Sequence, residues 1–274
     1  MTPRYDTVSF LSDFGHADEF VGVVHSVIRT IAPHVTVIDL VHDLPVHDVR
    51  AGSLALVRAV QYVAPGIVLA VVDPGVGTTR RAIAVEVGEG EETGVLLGPD
   101  NGLLAPAVSI SGGATRAFEL TNTDLHLPSP GPTFAGRDVF APVAAHLSNG
   151  VALEDVGGEL DTHGLMPGIV PLPRLEDDGA LIAEVLWVDR YGNCQLNVGP
   201  EELTAYGERV MLRLGDDRAA RTAVQAPAYD SLAPGQIGLV VDSYGLVSLA
   251  LDRMSAADEL RLAPGSPVIV SVPT

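Results

Sequence analysis

Apolar and polar positions divide the chain into two grammars. In the first half, short apolar runs alternate with segments whose apolar residues recur at helical spacing. TVSFLSD (7–13) reads as a buried strand, and DEFVGVVHSVIRTIAP repeats Phe20, Val23, Val24, Val27, Ile28 and Ile31 along one helical face. VTVIDLV is the next strand, and DVRAGSLALVRAVQYVAPG the next helix, with Asp48 placed to cap it. IVLAVVDPGVG is a third strand. This β-α-β-α-β order predicts a parallel sheet covered by helices. After AIAVEV and GVLLGPDNGLL the alternation loosens, until GRDVFAPVAAHLSNG gives one more helix ending near Gly150.

LMPGIVPLPRLEDDG then packs Pro, Gly and acidic residues into a short space, the mark of a linker. Beyond it, ALIAEVLWVD, CQLNV, RVMLRL, QIGLVVDSYG, LVSLAL and SPVIVSV are short strands without helices between them. The expected architecture is an N-terminal parallel-sheet α/β domain over 1–165, a linker over 166–179 and a small all-β, barrel-like domain over 180–274. No internal repeat or low-complexity tract stands out.

Composition narrows the chemistry. A length of 274 residues with 47% hydrophobic content supplies enough core for two domains. No stretch is long or apolar enough to span a bilayer, and the chain enters TVSFLSD without a basic, then apolar, leader; the expectation is a soluble cytoplasmic protein. The single Cys194 excludes an internal disulfide and any CxxC zinc site. All sixteen basic residues are Arg, so a lysine Schiff base and a P-loop lysine are both absent. The net charge of -19 repels nucleic acid and anionic membranes and accepts a neutral or cationic small ligand, although solubility alone also accounts for it.

In an open parallel sheet, ligands bind beyond the carboxyl ends of the strands. Three such ends carry polar clusters: SDFGHADE, HDLPVHD and DPGVGTTRR. Asp13 and Asp18 flank a glycine-containing turn; one can grip two hydroxyls while the other caps the following helix, or both are caps. His42-Asp43 and His47-Asp48 suggest a metal phosphohydrolase, but both pairs lie in one proline-broken loop rather than on helices at ligand spacing. In DPGVGTTRR a tight turn lets Asp73 and Arg80 fold back on each other, giving a carboxylate oriented to position water, or a structural ion pair. Asp189, Tyr191 and Asn193 alternate in VDRYGNCQLN, an acid, an aromatic plane and an amide suited to an amine and a purine ring, or a surface turn with Tyr191 packed down.

SDFGHADEFVG, VDPGVGTTRR, GPDNGLL, TFAGRDVFAPVAA and DRYGN, in that order, resemble the S-adenosyl-L-methionine hydroxide adenosyltransferases, the S-adenosylmethionine hydrolases related to fluorinase and chlorinase. The resemblance covers nearly the whole chain. It implies an N-terminal α/β domain, a C-terminal barrel-like domain, and a homotrimer with each site between one subunit's N-terminal domain and its neighbour's C-terminal domain. The implied reaction converts S-adenosylmethionine to adenosine and L-methionine by attack of water at the ribose C5′, with no cofactor and no metal. By the same resemblance Asp13 grips the ribose diol beside Phe134. Tyr191 stacks, and Asp189 and Asn193 contact the methionine and adenine. Asp18, Ser243 and Tyr244 meet the methionine end, and His47 takes the place of an aromatic in halogenating relatives. Asp73 follows the hydrolase pattern, so water rather than halide is the expected nucleophile.

The hydrolases' triad is Asp, Arg and His. Asp73 and Arg80 match the first two; the third belongs to TFHGRD, which reads TFAGRD here, with Ala135 in the histidine's place. The expectation is a hydrolase scaffold that binds substrate and turns it over slowly, through an engineered or a natural loss of that side chain. Rival readings are a non-catalytic binding protein for S-adenosylmethionine or adenosine, a halide-using adenosyl transferase, and a metal phosphoesterase.

Overall fold

The structure, a computed structural model, describes residues 4–88, 94–215 and 220–273. The chain forms two compact units, one up to Ile169 and one from Val170. Among the described residues no helix is long and apolar enough to cross a membrane.

The first unit is an α/β layer structure. Its strands are β1 (Thr7–Ser12), β2 (Thr36–Val41), β3 (Ile67–Val71), β4 (Ala82–Val87), β5 (Gly94–Pro99), β6 (Ala114–Glu119) and β7 (Glu159–Leu160). They form one sheet in the order β2-β1-β3-β5-β4-β6-β7. β2, β1, β3 and β5 run parallel, whereas β4, β6 and β7 add antiparallel pairings, so the sheet is mixed rather than wholly parallel. The reason lies in the link from β4 to β5, which is too short for a crossover helix and permits only a hairpin.

Helix α1 (Phe20–Ile31) follows β1 and α2 (Val49–Val60) follows β2. The Asp48 carboxylate accepts from the Ala51 N–H at 2.8 Å and caps α2 as its sequence position predicts. β1 serves both faces of the sheet: Phe10 packs with Val24 and Ile28 of α1, while Leu11 packs with Leu56 of α2. Helix α3 (Ala105–Ile110) joins the α2 face, and α4 (Ala141–Ser148) joins the α1 face. From β1 the chain steps to one neighbour, β2, and then returns past β1 to β3. That reversal opens a crevice beyond the ends of β1 and β3, where an open α/β sheet binds its ligand.

The second unit is a closed barrel. Its strands are β8 (Arg174–Leu175), β9 (Leu181–Val188), β10 (Cys194–Leu196), β11 (Arg209–Leu214), β12 (Arg221–Ala226), β13 (Ile237–Val241), β14 (Val247–Ala250) and β15 (Pro267–Ser271), with helix α5 (Ala256–Leu260) before β15. The order β10-β14-β13-β12-β11-β15-β9 returns on itself because β9 also pairs with β10, and β8 attaches to β9 beside the ring. β12, RTAVQA, lacks an apolar run and so escapes a reading based on hydrophobicity, but its parallel pairing with β13 completes the ring. Val185, Leu212, Leu249, Val268 and Val270 fill the interior, together with Cys194. Burial pushes the Cys194 thiol up to about 12, with the charges of Asp189 and Asp258 adding to the effect, so the side chain stays a neutral packing group.

Candidate active site

The three polar strand ends meet as predicted. Asp13 and Asp18 follow β1, His47 follows β2 and Asp73 follows β3, and all four line one cleft of about 340 Å³ with Phe134 and Ala135. Neither Asp13 nor Asp18 caps a helix. The first residue before α1 is Glu19, which makes no side-chain cap, and one Asp13 oxygen accepts the His47 backbone N–H at 2.8 Å. His47 adopts a left-handed φ of 66°, uncommon for a residue other than glycine.

The DPGVGTTRR segment is a pair of tight turns. The Val76 N–H bonds the Asp73 carbonyl, the Thr78 N–H bonds that of Gly75, and Gly77 takes a φ of 78° that favours glycine. This brings the Arg80 guanidinium onto Asp73 as a fork: Nε donates to Oδ1 at 2.9 Å and Nη2 donates to Oδ2. Both side chains are largely withdrawn from water, at 15% and 5% exposure. Arg80 also lies over the Phe140 ring. The adjacent Arg81 turns to Asp100, which also accepts the Met166 N–H, so the two arginines hold different parts of the loop.

Ala135 stands at the entrance of a π-helical turn, Gly136–Phe140, that leads directly into α4. Such wide turns re-aim side chains at the start of a helix. Gly136 lets the rings close in: a Cβ there would stand 3.0 Å from the Phe14 ring and 3.3 Å from the Phe134 ring, a tight contact that would push the rings outward by a few tenths of an ångström. Phe14, Phe20 and Phe134 meet edge to face, with ring centres 5.0–5.9 Å apart, and make one apolar wall. Sequence reading assigned Phe134 to this wall and missed Phe14; its place directly after Asp13 was the available signal.

The His-Asp pairs do not act as pairs. His42 is fully buried, His47 reaches the cleft, and Asp48 caps α2. Among the described residues no three His, Cys, Asp or Glu side chains are grouped to hold a metal ion.

The barrel carries a second cavity of about 450 Å³, lined by Tyr191, Asn193, Tyr229, Arg253, Met254 and Ser255 with Leu251. Asp189 works within its own turn. One oxygen accepts the N–H groups of Tyr191 and Asn193, both at 2.8 Å, and the other accepts from the Asn193 side-chain amide. Asp242 makes the same turn: one oxygen accepts from the Tyr244 and Leu246 N–H groups, and Gly245, like Gly192, has a positive φ. DRYGN and DSYGL are thus two copies of one hairpin turn, each presenting a tyrosine. Tyr191 is 79% exposed and free to cover a flat ligand, whereas Tyr244 packs edge-on to Trp187 and does not line this cavity, nor does Ser243. The backbone position of Ser255 against Gly192, where any Cβ would stand 2.2 Å from its Oγ, is the nonlocal contact that brings Arg253–Ser255 to Tyr191.

Residues 8–157 match the SAM hydroxide adenosyltransferase N-terminal domain, and residues 183–269 match the C-terminal domain of the same family. The (R)-S-adenosyl-L-methionine hydrolase of Salinispora arenicola is 43% identical over 96% of this chain and 97% of its own length. The protein of the same name from Thermus thermophilus is 39% identical over 95% and 98%. A conserved protein of known crystal structure from Thermotoga maritima superposes with a TM-score of 0.86 at 32% identity, covering 96% of this chain and 99% of that one.

Proposed function

The chain belongs to the SAM hydroxide adenosyltransferase family, and from that premise we propose that it hydrolyses S-adenosyl-L-methionine to adenosine and L-methionine, slowly because of Ala135. The observation that carries the reading is the forked Asp73–Arg80 pair in the same cleft as Asp13, Phe134 and Ala135.

The sulfonium is a good leaving group, so the protein has mainly to align one water and exclude others. The water oxygen forms a bond to C5′ as the C5′–S bond breaks, and the released electron pair stays on sulfur as the thioether of methionine. The oxygen, now positively charged, sheds a proton to leave the 5′-hydroxyl of adenosine. Asp73, its orientation fixed by Arg80, accepts a hydrogen bond from the attacking water. An imidazole at position 135 would take the proton; a methyl group cannot, so proton loss falls to bulk water.

In this reading Asp13 grips the ribose diol through the oxygen that His47 leaves open, while Phe134 walls the nucleoside and His47 lies against the ligand. Tyr191 stacks on adenine and Asn193 reads its edge. Asp189, with Asp18, Ser243 and Tyr244, meets the methionine end. The two half-sites come from neighbouring subunits of a homotrimer, an assembly that the family resemblance supports. The enzyme is cytoplasmic and needs no cofactor or metal.

The test is product analysis after long incubation with S-adenosylmethionine, with and without concentrated chloride. Adenosine and methionine alone are expected in both. Intact ligand recovered quantitatively would make the chain a binding protein, and a 5′-chloro nucleoside would make it a halide-using transferase.

A further inference from the structure

Directly behind Asp13 lies a chain of hydrogen bonds that takes no part in the reaction above. His42 is fully buried and joins two elements: its Nδ1 lies 2.7 Å from Ser12 Oγ and its Nε2 lies 2.9 Å from Asp39 Oδ1. Asp39 also meets His25 Nε2 at 2.7 Å. Ser12 Oγ is in turn 3.3 Å from the Phe14 N–H.

The direction of every bond follows from what each group can do. An ionised carboxylate only accepts, so His42 Nε2 carries the proton and donates to Asp39. A neutral His42 therefore offers Nδ1 as an acceptor, Ser12 donates to it, and the Ser12 oxygen is left to accept from Phe14. Burial pushes the His42 imidazole below its ordinary value, against the pull of Asp39, which favours this neutral form. Burial alone would raise the Asp39 carboxyl, but the hydrogen bonds from His42 and His25 outweigh it and hold the group lower, on the ionised side.

The backbone is built around this chain. The β1–β2 ladder pairs Phe10 with Asp39 and Leu11 with Val41, skipping Leu40, a bulge that re-aims the strand end next to the cleft. The His42 carbonyl accepts the Gly15 N–H at 2.8 Å. Phe14 and Gly15, the two residues after Asp13, are thus both tied to His42, one through Ser12 and one directly. Ser12 is fully buried and lines no part of the cleft, so it is no nucleophile despite its His and Asp partners.

We infer that Ser12, His42 and Asp39 are positioning residues: they fix the turn that carries Asp13 and thereby set how sharply the site distinguishes a ribose diol from a deoxyribose. The inference rests on the proposed role of Asp13 as the diol contact. Its ligand class is therefore the nucleoside sugar rather than the base or the sulfonium.

The experiment measures the dissociation constants of adenosine and 2′-deoxyadenosine by calorimetry, for the chain as it stands and for Ser12→Ala, His42→Asn and Asp13→Asn. A hydrogen bond to a charged group separates the two nucleosides by about 10- to 100-fold in the parent, and Asp13→Asn removes most of that ratio. Ser12→Ala and His42→Asn each lower the ratio by at least about fivefold while leaving 2′-deoxyadenosine affinity within about twofold. If Asp13→Asn collapses the ratio and the other two keep it, the positioning role is overturned. Equal weakening of both nucleosides overturns it too, since that is loss of fold support only. A ratio unmoved by Asp13→Asn removes the diol role of Asp13 and the inference with it. Thermal unfolding checks each variant, and Ser12→Ala, the smaller change, decides the matter if His42→Asn does not fold.

Discussion

Replacing Ala135 by histidine raises the rate of adenosine release from S-adenosylmethionine by about 10²- to 10⁴-fold at saturating substrate, the range a positioned general base supplies. Ala135 has helical dihedrals, φ -59° and ψ -28°, which histidine adopts as readily, and it already borders the cleft with Asp73. An imidazole near its unperturbed pKa can take the proton from the attacking water at neutral pH. The effect falls on kcat, because the proton leaves only as the bond to C5′ forms, and KM changes little. Initial rates of adenosine and methionine formation for the two proteins check this; equal rates would remove position 135 from the chemistry.

Arg80→Met destabilises the first unit by about 3–5 kcal/mol, the cost of leaving a buried carboxylate without its partner. Asp73 is 5% exposed and both of its oxygens are held by Arg80, so water from the cleft replaces only part of what is lost. Adding Asp73→Asn removes the unpaired charge and recovers much of the stability. In the Ala135→His background it does not recover activity, because the carboxylate proposed to orient the water is gone. Denaturant unfolding and kcat on the single and double variants separate the two effects. A double variant that is active would make the pair structural.

The parts of this site that were legible in sequence are those made by local contacts. Asp73 and Arg80 meet through a turn written in Pro74, Gly75 and Gly77, and Asp48 caps the helix that begins at the next residue. The convergence of Asp13, His47 and Asp73 followed from strand order alone, because successive parallel strands end on the same side. What escaped depends on partners distant in sequence or on subtle backbone geometry. The β4–β5 hairpin turns a parallel sheet into a mixed one, and β12 has no apolar signature. The π-helical turn after Ala135 shares its residues with an ordinary helix start.

His42 read as half of a possible metal pair until its burial between Ser12 and Asp39 gave it another part. Asp189 read as an acid suited to an amine; its oxygens also hold Tyr191 and Asn193, a part visible only once the turn is folded. Arg253 and Met254 come to Tyr191 across the Gly192–Ser255 contact, for which sequence offers no signal.

The central claim is that water displaces the sulfonium at C5′ in the cleft of Asp73 and Ala135. Turnover of S-adenosylmethionine in ¹⁸O-labelled water, followed by mass spectrometry of the products, tests it most directly. The account predicts adenosine carrying one ¹⁸O at the 5′-hydroxyl and unlabelled methionine. Unlabelled adenosine, or S-adenosylhomocysteine with labelled methanol from attack at the methyl group, would contradict it.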